Sequence, residues 1–227
     1  AARPGLAAEA APARLDAGTV RVDDGRLVRL AGIAVSDGPT GAEATAVVAE
    51  LLGRGGVVLE PEAPPLDRHG RLRAQVRNAE GGWLQGELVQ RGLALVAPAA
   101  DVPPATLADL LALEKAARAA RLGLWADARA GPWPAGRVAA ERGRLVLVHG
   151  RVLDVARAQE FIYLNFGDDW RHDFTVRVEA RRRRALAAAG LNLEALAGRD
   201  VMVRGILFEA NGPMIELSHP AQIEVLE

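Results

Sequence analysis

Apolar and polar positions begin to alternate at Leu15, after an opening stretch of Ala, Pro and Gly with few large side chains. Residues 1–13 therefore read as a flexible arm, because so little apolar surface cannot offset the entropy of ordering them. In "TVRVDDGRLVRLAGI", Thr19 to Ile33, two alternating runs flank Asp-Asp-Gly, a hairpin signal in which Gly25 takes the positive-φ turn position. The spacing turns helical in "GAEATAVVAELLGRGG" and stops at Gly53, Gly55 and Gly56, and "VVLEP" is a further strand. "DRHGRLRAQVRNAEGGW" reads as another hairpin, with Arg73, Gln75 and Arg77 alternating against Leu72, Ala74 and Val76. "LQGELVQRGLALV" predicts a short helix closed by Gly92. The longest helix is predicted from Leu107 to Leu122, with Thr106 and Asp109 as its cap pair and Gly123 as its stop.

A Pro- and Gly-containing segment, residues 129–142, reads as a linker. Beyond it, "RLVLVHGRVLDVA", "EFIYLNFG", "DFTVRVEA", "DVMVRGILFE" and "PMIELSHP" alternate like strands, with the helical "RRRRALAAAGLNLEALAG" between the third and fourth. That order is the order of an OB-fold barrel. The expected fold class is thus mainly β with appended helices, as two tandem OB-type five-stranded barrels. The first, at 14–128, carries the helices, and the second, at 143–227, is smaller.

The charges nearly cancel, at 28 Lys and Arg against 29 Asp and Glu. That balance argues against strong general attraction to nucleic acid or acidic membranes, which depends on an excess of cations, and leaves only local patches. The chain has no cysteine, so disulfides and thiolate metal sites are excluded. No apolar run is long enough to span a bilayer as a helix. A start of "AARPGLAAEAAPAR" without Met is what removal of a secretory signal leaves, so an exported protein, periplasmic or secreted, is expected.

In the first region, Asp16, Asp23, Asp24, Asp37 and Glu43 lie near Arg29 and Arg71 at strand ends and turns. Carboxylates beside arginines can hold a divalent cation and a phosphodiester. They are also ordinary turn and surface charges. Five blocks, "DAGTVRV", "VRLAGIAVSD", "DRHGRLRAQV", "GWLQGELVQRGLALV" and "LLALEKAARAARLGLWA", resemble in order and spacing the staphylococcal nuclease-like (thermonuclease) family, over residues 15–127. The resemblance implies an OB-type barrel with three helices and Ca²⁺-dependent cleavage of DNA and RNA. It places the two catalytic arginines of the family on Arg29 and Arg71, and the water-activating carboxylate on Asp37, one methylene shorter than the usual glutamate. The two metal-binding aspartates fall on Gly18 and Ala34. Ca²⁺ needs several oxygen ligands, of which the anionic ones set its affinity, so the resemblance carries with it a cation site that is lost, and neither metal nor other cofactor is expected. Arg29 and Arg71 are left as a clamp for phosphate or carboxylate, or as ion-pair partners of Asp67 and Asp37.

The second region concentrates the aromatics: Phe161, Tyr163, Phe166, Trp170 and Phe174. Such rings beside a basic groove stack the bases of single-stranded nucleic acid, or they fill a core. Arg181, Arg182, Arg183 and Arg184 form the strongest cationic run, as a nucleic-acid or partner contact or as a solvated helix face. Tyr163 and Trp170 join them as candidate contacts. The combined reading is a catalytically degenerate thermonuclease-like protein acting as a binding or assembly subunit on a protein complex or nucleic acid. The alternative is a divergent metal-dependent nuclease or phosphodiesterase.

Overall fold

A computed structural model of the chain describes residues 18–22, 24–36, 38–53, 56–126, 131–169 and 171–226. The arm at 1–13, Asp16, Asp23, Asp37, Gly55, Trp170 and the first two residues of the 129–142 segment lie outside the described residues.

The described chain is mainly β with helices. In the first half, β1 (Thr19–Arg21), β2 (Leu27–Leu30), β4 (Val57–Leu66) and β5 (Leu72–Asn78) form one sheet in the order β1-β2-β5-β4. The β1–β2 pair is the hairpin expected around Asp-Asp-Gly, and Gly25 takes φ +83° at its turn. β3 (Ile33–Val35) leaves that sheet and pairs with β6 (Ala94–Val96) instead. Helices α1 (Pro39–Leu52), α2 (Leu84–Gln90) and α3 (Pro104–Ala119) cover the sheet. Val28, Leu30 and Ile33 pack with Val48, Leu88, Val96 and Leu110 in one apolar core.

Two local readings need correction. The hairpin at 67–83 is half of a different one: Asp67 to Gly70 turn the chain from β4 into β5, and only Arg77 bridges to Trp83. Gln75 is buried rather than on a polar face, because Glu62 and Trp83 occupy its amide. Helix α3 starts at Pro104 without a side-chain cap, and Thr106 and Asp109 lie inside it. Proline suits the first helical turn, where its missing N–H leaves nothing unsatisfied.

In the second half, β7 (Trp133–Pro134), β8 (Leu145–Arg151), β9 (Asp154–Arg157), β10 (Phe161–Asn165), β11 (Thr175–Glu179), β12 (Asp200–Glu209) and β13 (Pro213–Glu216) follow the path β7-β8-β12-β13-β11-β10-β9. β14 (Ile223–Val225) adds to β12, and α4 (Arg183–Ala188) lies between β11 and β12. Val148, Ile162, Leu164, Phe174, Val176, Val203 and Ile215 form its core. Of the segment read as a linker, Trp133 and Pro134 pair with β8, and Val138 is fully buried. The pairings among the described residues are open paths, and no closed barrel is found in either half. β3 has left the first sheet, and the second path ends on β9, next to β8 in sequence but not paired with it.

The halves meet face to face. Leu95, Ala117 and Trp125 of the first pack on Leu147 and Met202 of the second. At the same junction the Arg204 guanidinium of β12 pairs with Glu114 of α3 at 2.6 Å and donates to the Val96 carbonyl at 3.2 Å. Both side chains are nearly inaccessible, at 6% and 2%. No helix among the described residues is long and apolar enough to cross a membrane.

Candidate functional site

Strand register brings the first arginines together. Thr19 stands opposite Arg29 in the β1–β2 pair, and Arg29 stands beside Arg73 in the parallel β2–β5 pair. Arg71, at the entry to β5, reaches back across this corner, and its Nη1 donates to Thr19 Oγ1 at 2.8 Å. Burial, followed by the charge of Arg71, pulls the Arg29 guanidinium below its ordinary pKa. An arginine nevertheless keeps its proton.

Arg71 is locked by Asp67. Its Nε donates to Asp67 Oδ2 at 2.7 Å and its backbone N–H to Asp67 Oδ1 at 3.0 Å, while His69 N–H donates to the same Oδ1 at 2.8 Å. Burial raises the carboxyl pKa, but the hydrogen bonds from Arg71 and His69 outweigh it and hold Asp67 at about 2, against an ordinary 3.8. A depressed folded-state pKa stabilises the fold above the unfolded value, and that stability is lost as pH falls through the folded one. Asp67→Asn is therefore expected to cost up to about 2 kcal/mol at neutral pH. In urea denaturation followed against pH, the variant should lose less stability than the wild type between about pH 4 and pH 2.

Gly18 lies against Arg29. Its backbone has φ +78°, and a Cβ built there would collide with Arg29 Nη1. The Gly18 carbonyl accepts from Leu30 N–H at 2.8 Å, which fixes the two strands at this point. Arg29 Nη2 also donates to the Ile33 carbonyl at 3.4 Å. Where the family resemblance places one carboxylate, the structure has a guanidinium; at the other, Ala34, it has a methyl group beside Val35. Gly18 and Ala34 do not fit a Ca²⁺ ion, which needs several oxygen ligands, because neither offers a side-chain oxygen. Among the described residues no group of three or more His, Asp or Glu side chains could hold a metal ion. Asp37 lies outside them.

Arg29 and Ala34 line a cavity of about 670 Å³ at the junction of the two halves. Arg73, Arg177 and Arg204 also line it, as do Phe208 and Glu216. Arg73 is paired with Asp101, and Arg177 with Glu216 at 2.7 Å. None of Arg73, Arg177 and Arg204 was singled out by sequence. Each occupies a polar position on an alternating strand, where side-chain period alone cannot separate a solvated arginine from one facing another part of the chain.

The second-region candidates divide. Phe174 is core and stacks obliquely on Phe166, with centroids 4.9 Å apart. Phe161 and Tyr163 instead stand half-buried on the outer face of β10, 6.1 Å apart. Tyr163 lines a second cavity of about 540 Å³ with Asp154, Asn165, Thr175, Arg177, Asn211 and Met214. The arginine run is only partly compensated: Arg181 and Arg182 share Glu179, Arg183 shares Glu194 with Arg157, and Arg184 is exposed. Trp170 lies outside the described residues.

Residues 27–127 match the family model described as staphylococcal nuclease homologue. The match covers the arginine corner from Arg29 to Arg73 and the helices that carry the junction; the second half lies beyond it. No curated protein resembles the chain closely enough to count as a match.

Proposed function

Taking residues 27–127 as a staphylococcal nuclease homologue domain, we propose that this nuclease-family protein has given up metal-dependent hydrolysis and acts as a binding or assembly subunit. The observation that carries this reading is that both positions where the family resemblance places a metal-binding carboxylate, Gly18 and Ala34, carry no side-chain oxygen, with Arg29 Nη1 lying where a Gly18 side chain would begin. A phosphodiester can still meet the cationic corner, but the anionic oxygens that would hold a divalent cation beside it are replaced at positions 18 and 34. Groups that act as a unit in hydrolysis fail together when one is lost.

The second half is read as an OB-type barrel built on one bent strand, residues 145–157. Two features support this. β8 and β9 are separated only by Val152 and Leu153 yet pair with β12 and β10, far apart on the path. At the bend, Val152 N–H donates to the Arg199 carbonyl just before β12, and Leu153 N–H to the Asn165 carbonyl at the end of β10.

The test is incubation of the purified protein with single-stranded DNA and RNA in Ca²⁺, Mg²⁺ or EDTA, with products resolved on a denaturing gel. Intact substrate in all three is the expected outcome. Metal-dependent cleavage that disappears in Arg71→Ala would overturn the proposal in favour of a divergent nuclease.

A further inference from the structure

On the outer face of the second half, short side chains stand among long ones. Strand register sets Ala156 of β9 opposite Tyr163 of β10, Tyr163 opposite Arg177 of β11, and Arg177 beside Glu216 of β13. Two residues along each strand, Asp154, Asn165, Thr175 and Met214 form the next row. Side chains two apart share one face of a strand, so both rows lie on the side away from Leu164 and Val176 of the core. Ala156, Thr175 and Ala210 are too short to fill the space beside the Tyr163 ring, and the cavity of about 540 Å³ occupies it.

The lining combines buried and polar groups. Thr175 and Met214 are buried, and the Tyr163 ring is half-buried. With them the cavity carries the Tyr163 phenol oxygen, the Asp154 carboxylate and the Asn165 and Asn211 amides. Among the described residues none of these four polar groups has a hydrogen-bond or ion-pair partner. Asn211 is set in the turn between β12 and β13 at φ +56°, and a Cβ on Gly212 would crowd the Asp173 carbonyl at 2.9 Å, so this edge is closely packed. Arg177 is already engaged: its Nη2 donates to Glu216 Oε2 at 2.7 Å, and its Cζ lies 4.7 Å from the Phe161 ring centre and 5.0 Å from that of Phe208. It forms a wall of the cavity, with its charge met by Glu216.

These groups select among ligand classes. The only charge of the cavity without a partner among the described residues is the Asp154 carboxylate, which repels a phosphate or a carboxylate. An organic cation would meet that carboxylate but offers no acceptor to the two amides. A hydrocarbon would strip water from the polar groups and return no hydrogen bond. A neutral ring with a C–H face for Tyr163 and an edge of hydroxyls meets all of them, because a hydroxyl both donates and accepts, and planar carboxylate and amide groups can each bond two neighbouring hydroxyls. We infer that the Tyr163 cavity is a saccharide-binding site, with a neutral pyranose stacked on the Tyr163 ring and its hydroxyls held by Asp154, Asn165 and Asn211. The volume lies in the range of small-ligand sites. The cavity lies outside residues 27–127, so the inference goes beyond the proposed function and does not depend on the chemistry of the Arg29 corner.

Tyr163 is the one tyrosine of the chain, so protein labelled with 3-fluorotyrosine gives a single ¹⁹F resonance from the cavity. Maltose, cellobiose and diacetylchitobiose are titrated against it, with choline as the cationic comparison and adenosine as the flat-ring one. At least one disaccharide should shift the resonance saturably, and neither comparison should match it. Ala156→Leu, which fills the cavity with an isobutyl group and keeps the label, should abolish the shift, and its sugar-free resonance shows whether the variant is folded. Saturation-transfer NMR observed on the sugar serves the variants without the label. Tyr163→Ala should weaken binding roughly ten-fold or more, and Tyr163→Phe, which keeps the ring, only about two- to three-fold. Asn165→Ala should weaken it several-fold, and Arg26→Ala, at the exposed hairpin tip, should leave it unchanged. The inference is overturned if none of the three disaccharides shifts the resonance at about 10 mM, where a site with Kd of about 1 mM is nearly filled. It is also overturned if choline or adenosine binds more tightly than every sugar, or if Ala156→Leu and Asn165→Ala both bind as the wild type does.

Discussion

Arg204→Ala is expected to lower the unfolding free energy by about 3–5 kcal/mol, the usual result of removing one partner from a buried ion pair. Glu114, only 2% accessible, would be left charged beneath α3 with its Arg partner gone. It would retain the Val96 N–H, which donates to Glu114 Oε1 at 2.7 Å, but one neutral donor does not offset a buried charge. The Val96 carbonyl would lose the Arg204 hydrogen bond as well. A loss of this size is a large share of the stability of an ordinary domain. Urea denaturation followed by tryptophan fluorescence checks it, because Trp125 lies in the apolar cluster at the same junction. The double variant Arg204→Met with Glu114→Leu should recover most of the loss, since an apolar pair of similar volume has no charge to desolvate. If Arg204→Ala costs less than about 1 kcal/mol, the pair is not what holds the two halves together.

Much of the local architecture was legible because its signals are short-range. Asp-Asp-Gly with Gly25 marked the first hairpin, Gly92 marked the end of α2, and alternation marked β8 and β10 to β13, whereas β9 was read as a continuation of β8. The misread positions depend on partners distant in sequence. Gln75 sits in a polar run on β5, yet it is buried because Glu62 and Trp83 close over it. Arg204 points away from the core of its own sheet, as its position in "DVMVRGILFE" predicts, but α3 covers that side. β3 and β6 are three residues each, too short for a period to reveal that they pair. At the arginine corner, the absence of a carboxylate at Gly18 and Ala34 was readable from the residues alone. The placement of the Arg29 guanidinium against Gly18 was not, because it follows from the backbone turn at φ +78° and from the β1–β2 register. The cavity site was the least legible part, since it joins Arg29 and Arg73 to Arg177 and Arg204 across two sheets.

The second large effect is expected from Gly92→Ala, a change of one methyl group. Gly92 has φ +69°, a region that costs an L-residue about 1–2 kcal/mol. A Cβ there would also collide with the Leu122 carbonyl oxygen and come within 3.0 Å of Trp125 Cδ1. Neither neighbour is a free side-chain end: Leu122 N–H is bonded to the Ala117 carbonyl, and Leu124 N–H to Gly92 itself. Overpacking of this kind typically adds 1–3 kcal/mol, so the total should be about 2–5 kcal/mol. The consequence reaches the site through the chain that follows. Two residues after Gly92 the backbone enters β6, whose Leu95 packs at the junction and whose Val96 carbonyl accepts from Arg204. Displacing the α2–α3 corner should therefore loosen the docking of the two halves as well as destabilise the first core. Hydrogen exchange on Gly92→Ala should show faster exchange in β6 and in the neighbouring turns of β12, with β10 and β11 protected as in the wild type. If exchange rises only within α2 and α3, the corner is a local feature and does not position β6 against Arg204.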